Sequence, residues 1–146
     1  MRLLIQKVKN LKIYQNKKLI LDFSSDNFCY LIYVSLEKGD ENKILEEIIK
    51  KIENLEIIDI NGKFNHSLKE IKPKIVFVSQ ITLSADFVKG RINFNRSLEF
   101  SKAEKIFNQF FALWLKLGYN VFKTDFGAFL EIESTNLGPV NFFIFN

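Results

Sequence analysis

The sequence predicts an α+β (mixed α/β) protein: a mixed sheet or partial β-barrel with two main helices on one side, folded as one domain over residues 1–146. Three observations predict it. The first third carries successive strand-like runs, two later segments place apolar residues at helical spacing, and the chain returns to strands at its end. No Pro/Gly/Ser-rich linker, repeat or low-complexity tract divides the chain, and its length suffices to bury one core without staples.

Each element has a local reason. Leu3, Ile5 and Lys7-Val8 open a strand, and Lys12-Ile13-Tyr14 and Leu19 to Phe23 read as the next two. Phe28 to Leu36 is almost wholly apolar and aromatic, as in a central strand buried on both faces. Asp40 is a candidate N-cap for a helix whose apolar face is Ile44, Leu45, Ile48, Ile49 and Ile52. Asn61-Gly62 marks a turn, and Lys74 to Ser79 is a second buried strand. Ser101-Lys102-Ala103-Glu104 spells a capping box, in which Ser and Glu side chains satisfy each other's free backbone N–H groups. The helix it opens runs through Ile106, Phe107, Phe110, Phe111, Trp114 and Leu117 to Gly118, a good terminator. Asn120 to Lys123, Phe129 to Glu133 and Val140 to Phe145 are the closing strands.

Composition narrows the function. A net charge of +4 and a pI near 9.1 suit an anionic partner without matching a strong nucleic-acid binder. Phe is abundant with 16 copies, alongside Lys, Ile and Asn, a bias that follows AT-rich codons and carries no functional message. Cys29 is the single cysteine, so no intrachain disulfide forms and a reducing, cytoplasmic setting is expected. The first residues are too short an apolar run for a signal peptide, and no segment has the apolar length of a membrane span. With His66 the only histidine, a His-rich metal site is excluded and any classical triad would have to use it. The turn around Gly62 to His66 reads as surface, and Cys29 as an inert buried thiol. No Gly-rich phosphate loop is present, so no cofactor or metal is expected.

Two segments stand apart from routine structure. Ser79-Gln80-Ile81-Thr82-Leu83 follows a buried strand directly, so its polar side chains either converge on a small substrate or make local backbone bonds. Asn136-Leu137-Gly138-Pro139-Val140 joins two strands, either through a β-turn or through a cis Gly–Pro bond. The cis form turns neighbouring carbonyl oxygens to one side, where they could grip an ammonium group.

In this order the two segments resemble the D-aminoacyl-tRNA deacylase family, with its Ser-Gln-Phe-Thr motif midway and Gly-Pro motif near the C-terminus. The resemblance covers essentially the whole chain, through Gln6-Lys7-Val8, Gly62 to Asn65, Ser79 to Ala85, Phe126-Gly127-Ala128 and Asn136 to Phe142. It implies that the chain hydrolyses the ester of D-aminoacyl-tRNA, and of mischarged glycyl-tRNA, as a chirality check in translation. It also implies a homodimer in which Gly138 and Pro139 of one subunit enter the site of the other, holding the substrate's amino group and crowding out an L side chain. Ser79, Gln80 and Thr82 are then the catalytic set, with Ile81, Phe126 and Ala128 lining the pocket and Lys7 supporting the Gly-Pro segment.

The family's chemistry is ascribed to the terminal ribose hydroxyl of the RNA, in keeping with the absence of a triad. Three positions and one segment depart from the pattern. Ile81 replaces Phe, Asn141 stands where Thr is usual, Lys7 replaces an Arg, and Gly90 to Phe94 lacks the usual Arg-Pro-Ser-Phe. Lys lacks the planar fork of Arg. These departures support an alternative, a non-catalytic tRNA-binding member. Basic residues cluster at Lys7 to Lys18 and at Lys72 to Arg96, where phosphate contact is expected.

Overall fold

The computed structural model describes residues 1–40 and 42–145. Its centre is a mixed sheet built on β1 (Arg2–Gln15), β3 (Cys29–Ser35), β6 (Ile75–Ser79), β9 (Val121–Lys123) and β10 (Leu130–Phe145), in the order β10-β1-β3-β6-β9. β2 (Lys18–Phe23) pairs with the distal half of β1. β1 runs antiparallel to both β10 and β3, whereas β3–β6 and β6–β9 are parallel. Helices α1 (Asn42–Glu53) and α3 (Phe100–Lys116) supply the crossovers, as parallel neighbours require. The sheet curls into a half-barrel, as the strand-rich sequence predicts.

Strand periodicity explains why the core has two parts. On β3, Tyr30, Ile32 and Val34 face the helices, and Cys29, Leu31 and Tyr33 face the inside of the curl. On β6, Ile75 and Phe77 go one way and Val76 and Val78 the other. Phe77 meets Phe110 and Trp114 of α3, with ring centroids 5.3 and 5.7 Å apart. Burying a side chain of this size removes water from a large apolar surface, worth about 1.5–3 kcal/mol per residue.

The two strands expected between Leu3 and Tyr14 are one. Asn10 adopts a left-handed conformation (φ 53°), and pairing with β10 shifts register between Lys9 and Lys12. This bulge resets the alternation. Leu3 and Ile5 face the helices, while Val8, then Leu11 and Ile13 beyond the bulge, face the curl.

Two helix starts differ from expectation. Ser101 does not cap α3. Glu99 does, its carboxylate accepting the N–H groups of Ser101 (3.0 Å) and Lys102 (3.4 Å), so the helix begins earlier, at Phe100. The capping box forms instead at Ser67 and Glu70, where it starts the single-turn helix α2 (Leu68–Ile71). The Asp40 carboxylate receives the Met1 ammonium at 2.7 Å and the Glu37 N–H at 2.6 Å. The position just before Asn42 lies outside the described residues. Gly118 ends α3 as expected, with φ 78° and paired bonds from Gly118 N to the Leu115 carbonyl and from Tyr119 N to the Trp114 carbonyl.

Two small hairpins decorate the frame. β4 (Ile58–Ile60) and β5 (Lys63–His66) turn at Asn61-Gly62, and β7 (Asp86–Val88) and β8 (Arg91–Asn93) turn at Lys89-Gly90. Both turn pairs have positive φ, the geometry that matches strand twist in two-residue hairpins. Only the first was legible in the sequence.

Candidate active site

A cavity of about 300 Å³ opens where β3 and β6 end. Its walls are Val34 to Leu36 from β3, Ser79 to Ile81, Ser97 and Leu98, Phe100 and Ala103 of α3, and Phe126 to Ala128. The site thus lies at the carboxyl ends of two parallel strands, the usual place for a ligand crevice in sheets of this kind.

Ser79 ends β6 and accepts the Gly127 N–H at 2.9 Å. That bond fastens the Phe126–Ala128 segment to the strand end and leaves the Ser79 O–H free to donate into the cavity. Gly127 is required here. Its φ is 69°, and a Cβ would stand 2.7 Å from Cε2 of Phe100. Phe126 packs edge-on against Phe100 and tilted against Phe107, with centroids 5.1 and 5.5 Å away. Gln80 is tied to β3 through its N–H on the Val34 carbonyl (2.8 Å). The chain then forms a 3-10 turn, Ile81–Ser84, whose end is sewn down by a Ser35–Ser84 hydroxyl pair at 2.7 Å and by Arg2, which donates to the Leu83 carbonyl. Arg2 is itself held by Glu37 at 2.9 Å.

Five of the predicted site residues, Ser79, Gln80, Ile81, Phe126 and Ala128, therefore share one cavity. Thr82 lies on the exposed 3-10 turn beside it, outside the lining. Gly138 and Pro139 are on β10 and are also outside it. Leu137 to Val140 stand opposite Lys7 alone, between the pairs Gln6–Asn141 and Val8–Asn136, so the segment is an excursion from the ladder with Gly138 and Pro139 exposed at its tip and Val140 buried. The Gly138–Pro139 bond is cis. Gly138 has φ 107°, and a Cβ there would come within 2.6 Å of Cγ2 of Val140.

Side-chain amides brace this excursion. Asn136 Nδ2 donates to the carbonyls of Lys7 (3.1 Å) and Val140 (3.3 Å), Asn141 Nδ2 donates to Asn136 Oδ1 (2.9 Å), and Gln6 donates to Asn141 Oδ1 (2.8 Å). Lys7 differs from expectation. Its ammonium pairs with Asp59 at 2.6 Å and faces the Phe28 ring, so within the chain it meets the Gly-Pro segment through its backbone carbonyl. A shorter, single-headed cation leaves the bracing to Asn136 and Asn141, which motif reading did not single out as supports. Ser97 and Phe100 of the cavity wall carry no sequence signal either, because they are brought in from a loop and a helix start.

Among the described residues, none that lines the cavity is ionisable. His66 sits on β5 with Nδ1 3.6 Å from Glu70, and burial, with Asp26 adding to it, pushes the Cys29 thiol up to about 11. Neither belongs to the cavity. An arrangement of this kind positions and polarises but contains no general base of its own.

Residues 4–145 match the protein family described as D-Tyr-tRNA(Tyr) deacylase. The chain belongs to this family. Among its curated relatives, the D-aminoacyl-tRNA deacylase of Aquifex aeolicus is 34% identical over 99% of this chain and 97% of its own. That of Clostridium acetobutylicum is 34% identical over 99% and 96%, and that of Pseudoalteromonas translucida 33% identical over 95% of each. Two solved structures share the fold. One is titled c-Myc DNA Unwinding Element Binding Protein (TM-score 0.86, 23% identity, 100% of this chain and 99% of that one). The other is titled Structural Analysis of a probable eukaryotic D-amino acid tRNA deacylase (TM-score 0.81, 14% identity, 98% and 97%).

Proposed function

We propose that the chain hydrolyses the ester joining a D-amino acid to the 3′ end of a transfer RNA, releasing free amino acid and tRNA. The observation that carries this reading is the cavity itself: it gathers Ser79, Gln80, Phe126 and Ala128 without one ionisable group, in a chain about a third identical to deacylases end to end. An aminoacyl ester is activated, so alignment and charge stabilisation suffice where an amide would need a strong nucleophile.

In this reading Ser79 donates its free O–H to the ester carbonyl, Gln80 holds the terminal ribose, and Thr82 orients the attacking water. The free ribose hydroxyl beside the ester relays the proton: as water attacks the carbonyl it takes water's proton and passes its own to the departing ribose oxygen. Ile81, Phe126 and Ala128 form the apolar walls. Gly138 and Pro139 act on the cavity of a second copy, which fits their exposed position on β10. Their carbonyls take the α-ammonium and leave no room for an L side chain, a specificity made by exclusion. Glycine offers no side chain to reject, so glycyl-tRNA is a second substrate. The setting is the cytoplasm, in translation quality control; no helix among the described residues is long and apolar enough to cross a membrane.

The test is release of amino acid from D-tyrosyl-tRNA and L-tyrosyl-tRNA side by side. Rapid loss of the D ester alone is expected. Equal rates for both, or no enzyme-dependent loss of either, would contradict the proposal.

A further inference from the structure

Beyond the cavity, the β7–β8 hairpin has no role in the account so far. It leaves the cavity wall at Ser84, which is fixed to Ser35, and returns at Ser97 and Leu98, which line the cavity. It is therefore an outgrowth of the cavity rim. One face packs on little: Phe87 is 73% exposed and its cross-strand partner Ile92 58%. At the tip, Lys89 and Arg91 carry positive charge with no acidic partner among the described ion pairs, while Arg96 at the base is neutralised by Asp86 at 2.9 Å. Lys89 holds φ 50°, a turn position where Asn or Gly sits more easily. A soluble chain has no folding reason to keep an aromatic, an aliphatic and two free cations together on a projecting ribbon.

We infer that this hairpin is a docking surface for the RNA strand that leads into the cavity; the inference rests on the proposed function. Exposed aromatic and aliphatic faces stack on bases whatever their identity, and flanking cations neutralise phosphates. That combination suits a polyanion entering from the rim. The proposed dimer makes its demand on another element: β10 carries Gly138–Pro139 and pairs only with β1 among the described residues.

The test uses the full chain and uncharged tRNA, with binding followed across a salt titration. Lys89→Asn with Arg91→Gln keeps the turn and is expected to weaken binding about tenfold at low salt. It also flattens the slope of log affinity against log salt by about 1.4, near 0.7 per phosphate neutralised on a single strand. Phe87→Ser with Ile92→Thr weakens binding about tenfold at every salt and leaves the slope alone. The same charge removed from α1, by Lys50→Gln with Lys51→Gln, leaves the slope within a few tenths.

Unchanged affinity and slope in the first two variants overturn the inference. So does a change in sedimentation, which would assign the surface to a second copy. A wild-type chain that binds tRNA but releases no amino acid from D-tyrosyl-tRNA contradicts the proposed function, while the same titration still decides the role of the hairpin.

Discussion

The Ser79–Leu83 segment and the Asn136–Val140 segment are anchored in opposite ways. The first grows out of β6, a strand buried on both faces, and is tied at Gln80, Ser84 and Leu83 to β3 and Arg2. The second leaves the ladder of β10, exposes Gly138 and Pro139, and is held by a relay of amides from Gln6 through Asn141 to Asn136. One segment shapes a cavity in its own chain; the other is presented outward by a small polar brace. A site assembled from a fixed half and a presented half fails differently according to which half is disturbed.

Gly138→Ala should give the largest effect. A Cβ collides with Val140, and φ 107° is hostile to any L side chain. The excursion shifts, and a displacement of about 1 Å can cost on the order of 100-fold in rate. Loss of D-tyrosyl-tRNA hydrolysis with an unchanged melting transition is expected. A variant that retains activity breaks the contrast.

Asn136→Ala removes the donor to two carbonyls and the acceptor for Asn141. About tenfold in kcat/KM is expected, with a stability loss of about 1–2 kcal/mol read from urea denaturation. Asn136→Asp keeps the acceptor but not the donor, and should restore less than half of the lost rate if the two carbonyls are what matters.

Ser79→Ala disturbs the fixed half. The Gly127 N–H loses its partner, costing about 1 kcal/mol, and the donor proposed for the ester is gone. Here kcat should fall with KM nearly constant, because the cavity walls stay in place. A rise in KM alone would mean that Ser79 only shapes the pocket.

The smallest effect concerns Cys29, on the inner face of the curl. Burial holds its thiol up to about 11, above the usual range for a free thiol. Thiolate is scarce in the folded chain, so alkylation at pH 8 should be slow in the native protein and fast in denaturant. The unfolded chain ionises first, so stability declines as pH rises from about 9 toward 11. Rapid native alkylation at pH 8 would show that the inner core opens easily.

Much of the frame was legible from apolar patterning. Phe28–Leu36 and Lys74–Ser79 read as buried strands because both faces are apolar, and they are the strands that carry the cavity. Local motifs were less decisive. Ser-x-x-Glu occurs at Ser67 and Ser101, yet only the first caps a helix through that box, because Glu99 already supplies the acceptor at the second. The bulge at Asn10 was illegible, since a lone Asn carries no signal for a left-handed residue. Ser79 and Gln80 could be placed from their position after a strand, but Ser97, Phe100 and the Asn136–Asn141 brace depend on tertiary approach. The Lys7 side chain could not be placed at all from its neighbours, because Asp59 lies 52 positions away.

The central claim is that a working site takes its two halves from two copies of the chain. Two variants test it most directly: Ser79→Ala with Gln80→Ala in the fixed half, and Gly138→Ala in the presented half, each expected to be nearly silent alone. Co-expressed and assembled at random, half of the dimers pair one of each, and each such dimer has one intact site, so about a quarter of wild-type activity should return. If the mixture stays as silent as its components, both halves act within one chain, and the role assigned to the exposed Gly138–Pro139 excursion is contradicted.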